Sequence, residues 1–394
     1  MIYLDFNATT PLDERVGARL ADWHGRFSGH PDSRDHQGGW EAAEALEDVR
    51  ARVLATLGGH EGKLVFTSGS TEGLAGVVRG FLGAGRGEQV SIVTCATEHA
   101  AVLEPCRWLA ARTGMSLVVL PVDREGRLDL QQLQDALLRA RRDRRRVLVA
   151  LMAANNETGV LHPLHDIARI VQAADAYWLC DMGQMVGKMP VNLETLGADF
   201  VVMSAHKTYG PKGCGALWVS PRAQELHRSG DFDPWPPGGG QESGWRAGTV
   251  NLPGVCAFAM ALQNTVAQLP DSEARLRSLR DRFESTMLAG CPGARVNGVA
   301  APRLPNTSNL LIPGIDARAL VRSQNEVAVS TRSACSSGRH AASHVLLAMG
   351  LSPMQAASCI RVSSGLPTTS AEIDRAAEVL MDAVSRWCAG QGVA

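Results

Sequence analysis

Only Lys63, Lys188, Lys207 and Lys212 occur among 39 basic residues, so chemistry that needs a neutral amine has four candidates. Lys207 lies in Val201-Val-Met-Ser-Ala-His-Lys-Thr-Tyr-Gly-Pro-Lys-Gly213, where a strand-like apolar run leads straight into Ser204, His206 and Lys207. A lysine leaving a central strand is partly desolvated, which lowers its pKa and supplies the free amine of a Schiff base. Spacing alone leaves a surface-loop lysine open. Upstream, Leu179-Cys-Asp181 ends another strand-like run in an acid. Such a carboxylate suits the protonated ring nitrogen of pyridoxal phosphate, and suits a helix cap equally well. Phe66-Thr-Ser-Gly-Ser-Thr-Glu-Gly73 places small residues between a strand and a helix. Backbone N–H groups and the hydroxyls of Ser70 and Thr71 there face an anion, or simply cap the helix.

Nucleotide readings fail on inspection. Gly183-Gln-Met-Val-Gly-Lys188 is one residue short of a P-loop and is followed by Met189, and no GxGxxG follows a strand. With 39 basic against 40 acidic residues the chain carries no basic field suited to a phosphate backbone, so direct nucleic-acid binding is not expected. The nine cysteines are scattered without a CxxC pair, against both a disulfide framework and a four-cysteine zinc site. His340 and His344 stand four apart but lack the glutamate of HExxH, so no metal is expected. The first residues have no basic-then-apolar leader and no later stretch reaches a membrane span, which predicts a cytoplasmic protein.

The elements that must hold these residues alternate. Trp40 to Leu57 reads as a helix ended by Gly58-Gly59, then Lys63 to Thr67 as a strand, Thr71 to Phe81 as a helix and Gln89 to Thr94 as a strand. Helices over Ala100–Thr113, Asp129–Arg141 and Leu164–Ala173 alternate with strands over Ser116–Pro121, Val147–Met152 and Trp178–Asp181, followed by strands Phe200–Met203 and Gly215–Val219. This pattern predicts an α/β fold with a mostly parallel sheet, covered on both faces, and ligands at the carboxyl ends of its strands. The basic run Arg139 to Arg146 reads as a solvated helix end. Residues 228–254 are rich in Gly and Pro and too long for a connector, hence functional or mobile. A long helix from Leu252 to Arg282, broken near Pro270, opens a second unit with its boundary near residue 261.

Across nearly its whole length the sequence resembles the NifS/IscS-like cysteine desulfurases, pyridoxal 5'-phosphate enzymes of the class V aminotransferase group. The matching segments are Tyr3 to Pro11, Thr67 to Glu72, Thr97 to Leu103, Asn155 to Gly159, Asp181 with Gln184, Ser204 to Gly213, Gly238 to Glu242 with Arg246 to Thr249, Ser333 to Ser337, and Ile360 to Ser363. So many blocks in the right order exclude chance. The resemblance implies fold type I of the pyridoxal phosphate transferases. It gives a large domain, residues 14–261, with a mainly parallel seven-stranded sheet, and a small α+β domain from residues 1–13 and 262–394.

It also implies roles. Lys207 would hold the cofactor covalently and move protons, Asp181 would pair with the ring nitrogen, and His99 would stack on the ring. Asn156 and Gln184 would bond the ring oxygen. Ser70, Thr71, Ser204 and His206 would bind the phosphate, joined by Thr249 from the other subunit of a homodimer. Arg361 and Asn156 would hold the substrate carboxylate, and Cys335 would take sulfur from L-cysteine as a persulfide, leaving L-alanine and serving a sulfur-acceptor protein. The chain departs from the family pattern at Ser243, where arginine is usual, at Arg332, where a small residue is usual, and at Met182-Gly183, where two small residues are common. Selenocysteine lyase, another class V aminotransferase-type enzyme, or a silent scaffold are the rival readings, and the acceptor pathway (iron–sulfur clusters, tRNA thiolation, DNA phosphorothioation or selenium) stays open.

Overall fold

The computed structural model describes residues 1–83, 89–143, 145–331 and 342–390. Its centre is a seven-stranded sheet built from β2 (Lys63–Thr67), β3 (Val90–Cys95), β4 (Ser116–Leu120), β5 (Arg146–Ala150), β6 (Tyr177–Asp181), β7 (Phe200–Ser204) and β8 (Gly215–Val219), after a short β1 (Ile2–Tyr3). The strand order is β2-β8-β7-β6-β5-β3-β4. Strands β4, β3, β5, β6 and β7 pair in parallel, while β8 runs antiparallel to both β7 and β2. Sequence alternation alone did not foretell the reversed strand, because β8 follows β7 after a short turn without a crossover helix.

Both faces of the sheet are buried. Val201 and Met203 of β7 pack into one apolar cluster with Trp178 and Trp218, whereas Phe200 and Val202 pack into the other with Leu148 and Leu217. Burial on both sides explains why these strands read as unbroken apolar runs rather than alternating ones. Helices Ser70–Leu82 and Ala100–Thr113 contribute Leu74, Val77, Phe81, Val102 and Cys106 to the second cluster. Gly58 closes the helix Gln37–Leu57 in the left-handed region with φ 62, the conformation that the Gly58-Gly59 stop required.

The C-terminal part carries β9 (Arg295–Val296), β10 (Thr307–Leu311), β11 (Val327–Ala328) and β12 (Cys359–Ser363). Strand β10 lies antiparallel between β12 and β9, and β11 pairs in parallel with β1 at the other end of the chain. Helices Leu269–Gly290 and Ser370–Cys388 share one cluster with Leu310, Val362 and Leu4. A bidentate pair, Arg303 to Glu284 at 2.6 and 3.0 Å, is buried beside them.

One local expectation holds, the helix break near Pro270, and two are corrected. The long helix splits into Leu252–Ala267 and Leu269–Gly290, with Pro270 in the first turn of the second piece, where its missing N–H costs nothing. Arg146 is not a solvated end: it donates to Asp231 O at 2.7 Å and to Phe81 O, and its guanidinium covers the Phe81 ring. The 228–254 stretch is pinned, since Glu242 is buried, pairs with Arg50 at 3.0 Å on both oxygens and accepts from Phe66 N at 2.8 Å.

Candidate active site

A cavity of about 470 Å³ opens where β6 and β7 end and the helix Ser70–Leu82 begins. It is lined by Ser70, Thr71, His99, Asn156, Asp181, Gln184, Ser204, His206, Lys207 and Arg361, residues spread over almost three hundred positions of sequence. The carboxyl ends of parallel strands are where a sheet of this kind collects its ligands. Strand β7 stops at Ser204 and a single tight turn, Ala205–Lys207, delivers the lysine. Lys207 Nζ donates to Asn7 O at 2.5 Å and to Ala8 O at 2.9 Å.

One side of the cavity is suited to an anion. Gly69, at φ 152, precedes the helix, and Gly69, Ser70 and Thr71 line the space, so the helix start borders it. The Ser70 hydroxyl is buried without any hydrogen-bond partner. His206 places Nδ1 3.1 Å from Thr9 Oγ1, and burial, then the cations of Lys207 and Lys212, push its pKa down to about 4. It is therefore a neutral donor until an anion arrives. Gly215 lets β8 pass the loop closely, because a Cβ there would lie 2.6 Å from Gly69 Cα.

The opposite requirement is met by Asp181. Burial pushes its carboxyl up, while the Gly183 N–H at 2.9 Å, His99 and Lys207 pull it down. A desolvated carboxyl whose pKa still lies above its ordinary value is stabilised by any cation that enters beside it. A Cβ on Gly183 would sit 3.1 Å from Asp181 Oδ1 and 3.5 Å from Ser70 Oγ, so that position ties the two ends of the site together. His99 caps the helix Ala100–Thr113 and accepts from Ala101 N through Nδ1 at 3.1 Å. The neutral ring then carries its proton on Nε2.

Other residues stand in the wall with prior commitments. Arg361 is 2% exposed, pairs with Asp5 at 2.5 Å and donates to Asn156 O at 3.0 Å, while its Nε is buried and unpartnered. Gln184 lines the cavity, yet its amide donates to Asn7 O at 2.9 Å and accepts from Lys188 Nζ at 2.5 Å. Thr249 does not line the cavity of its own chain; it meets His30 Nε2 at 2.9 Å. Cys335, Arg332 and His340 lie outside the described residues. His344 spends its Nε2 on the carbonyl of Glu98 at 2.9 Å, and no cluster of three metal-ligating side chains occurs among the described residues.

Sequence reasoning missed the segment Asn7-Ala8-Thr9 as part of the wall, although it quoted those residues. It also missed the buried Lys188 and the fully buried Glu98, whose pKa burial raises well above the ordinary value. Nothing in the local pattern marks Asn7, because each of its partners is more than a hundred residues away.

An unpartnered hydroxyl at a helix start, a neutral histidine, a carboxyl poised for a cation and an amine together fit pyridoxal 5'-phosphate: phosphate, ring nitrogen and aldehyde each find a complement. The aminotransferase class-V family matches residues 2–376. Cysteine desulfurase IscS of Anaeromyxobacter sp. (strain Fw109-5) is 38% identical over 385 residues, covering 98% of this chain and 93% of the relative. The NifS-like protein of Rickettsia africae ESF-5 superposes with a TM-score of 0.84 at 29% identity, covering 98% of this chain and 99% of that one. A structure described as SspA in complex with cysteine superposes with a TM-score of 0.77 at 27% identity, covering 92% and 98%. Shared fold, shared sequence over nearly every residue and a cavity of matching chemistry lead to one assignment: this chain belongs to the class V aminotransferase family and, within it, to the pyridoxal 5'-phosphate-dependent NifS/IscS-like cysteine desulfurases.

Proposed function

We propose that the chain converts L-cysteine to L-alanine and leaves the sulfur as a persulfide on Cys335 for transfer to an acceptor protein. The observation that carries this reading is the single cavity that gathers Lys207, Asp181 and His99 beside the unpartnered Ser70 hydroxyl. Bound pyridoxal 5'-phosphate supplies an electron sink for the bond broken at the substrate's α-carbon. Lys207 Nζ, held by two backbone carbonyls, would hold the cofactor and could serve as the base for the α-proton. Asp181 would keep the ring nitrogen protonated, His99 would stack on the ring, and Ser70, Thr71, Ser204 and His206 would hold the phosphate. Asn156 and Gln184 would hold the ring's oxygen. Arg361, with Asn156, binds the substrate carboxylate, and its buried unpartnered Nε supports that role.

Burial makes seven of the eight described cysteines unsuitable as the nucleophile, and the exposed eighth, Cys388, does not line the cavity, which supports Cys335. Seven of the eight are buried, and burial pushes the thiols of Cys106 and Cys359 up to about 12 and those of Cys95, Cys214 and Cys256 up to about 11. A thiolate, not a thiol, attacks sulfur, so such residues are inert. The same reading takes residues 14–261 as the cofactor domain and 1–13 with 262–394 as the small one. Pairing of β1 with β11 and the packing of Leu4 among C-terminal residues support that division. It takes the working unit as a homodimer in which Thr249 completes the partner's phosphate site, consistent with its place outside its own cavity. No described helix is long and apolar enough to cross a membrane.

Turnover of L-cysteine tests the reading. Cys335→Ser should keep the cofactor's colour and the change of that colour on adding L-cysteine, while alanine and sulfide production collapse. Retained production in the variant would remove Cys335 from the reaction.

A further inference from the structure

Behind the catalytic lysine stands a second one. Lys188, one of the four lysines and the end of a failed P-loop in the sequence, is 6% exposed and has no carboxylate partner among the described residues. Its Nζ donates to Asn7 Oδ1 at 3.0 Å and to Gln184 Oε1 at 2.5 Å. The other end of the Gln184 amide donates to Asn7 O at 2.9 Å, and that same carbonyl accepts Lys207 Nζ at 2.5 Å. The two amines are thus joined through one residue, and both line a small cavity of about 10 Å³ with Tyr209 and Asn306. Asn7 is held from its remaining sides by Ser363, Thr307, Asn306 and the Asn156 carbonyl, leaving Lys188 as the donor that fixes its Oδ1 from the Gln184 side.

Burying a lysine without a counter-ion is expensive, and an apolar side chain of equal length would fill the space at lower cost. Burial first, then the cations of Lys207 and Arg361, hold its pKa well below the usual lysine range. By geometry it serves as a two-armed hydrogen-bond donor. An apolar replacement would leave the buried Gln184 Oε1 unpaired and Asn7 Oδ1 held by Asn306 Nδ2 alone, and would free the Gln184 amide to rotate.

We propose that Lys188 is a positioning residue for the desulfurase reaction: through Asn7 and Gln184 it fixes where the Lys207 amine stands and which end of the Gln184 amide faces the cavity. This rests on Lys207 being the lysine that binds the cofactor. The test compares wild type with Lys188→Met. In the cofactor-free protein, acetylation of Lys207 by N-hydroxysuccinimidyl acetate is measured by peptide mapping against Lys63, a half-buried lysine that does not line the cavity. The Lys207-to-Lys63 ratio should change at least about threefold. In the loaded enzyme the visible band should shift, and kcat on L-cysteine should fall about tenfold with KM nearly constant, as for a misplaced reacting group. An unchanged labelling ratio and an unchanged band, with only a lowered melting temperature, would make Lys188 merely structural and overturn the proposal. Should Lys188→Met fail to fold, Asn7→Ser removes the same acceptor while keeping the backbone carbonyl; the same labelling change is expected, and wild-type labelling would again overturn it. Borohydride reduction separates the two claims: a pyridoxyl group on Lys188 instead of Lys207 in the wild type would sink the reading of Lys207 itself, whatever the labelling shows.

Discussion

Replacing Ser70 by alanine should move two measurable quantities in opposite directions. The Ser70 hydroxyl lines the cavity and has no protein partner. An unsatisfied buried hydroxyl costs roughly 1–3 kcal/mol, so its removal should stabilise the empty fold by on the order of 1 kcal/mol, about 2 °C in melting temperature. With a phosphate in place the same hydroxyl donates to a charged acceptor, an interaction of about 1.5–3 kcal/mol. At about 1.4 kcal/mol per tenfold, Ser70→Ala should weaken cofactor binding by roughly 10- to 150-fold. Thermal melting of the cofactor-free protein, followed by absorbance titration with pyridoxal 5'-phosphate, reads both. A cofactor-free variant that melts several degrees lower while its affinity is unchanged would refute the placement of Ser70 in the phosphate cup.

Three further outcomes follow from other parts of the fold. Borohydride reduction and peptide mapping should place the pyridoxyl group on Lys207, and finding it on Lys63 or Lys212 would end the present reading of the site. Glu284→Gln strands Arg303 in the interior and should cost about 3–5 kcal/mol in urea unfolding, whereas wild-type stability would show the pair to be dispensable. His162 is 5% exposed, neither ring nitrogen has a partner, and burial pushes its pKa down to about 4. The unfolded chain takes up this proton near pH 6.5 and the folded chain only near 4, so the stabilisation is complete above 6.5 and is lost as pH falls through that window. His162→Leu should remove about 2 kcal/mol of the stability drop between pH 7 and pH 5, and a wild-type pH profile in the variant would contradict it.

The sheet was legible because burial on both faces writes itself into sequence: Val201, Val202 and Met203 are apolar whichever way they point. Strand order and the reversal of β8 were not legible, since pairing partners such as Lys63 and Val219 lie far apart in the chain. At the site, residues at strand ends and helix starts could be named from local pattern, as with Asp181, Ser70 and Lys207. Their commitments could not. Nothing in the local pattern names Asp5, 356 residues away, as the partner of Arg361. Lys188 reads as a nucleotide-loop remnant until its amine is found between Asn7 and Gln184.

Asn7 has a bearing on when the enzyme comes into being. Its backbone N–H is tied to Ser363 Oγ, its side chain to Asn306 and Thr307, and its carbonyl to Lys207. During synthesis residue 7 leaves the ribosome early, but the groups that lock it are made about 300 and 356 residues later. The central sheet, complete by Val219, can assemble on the nascent polypeptide while the clamp on Lys207 is still unmade. A partly translated chain therefore has a fold before it has an ordered lysine, and catalytic competence arrives only with the last strand.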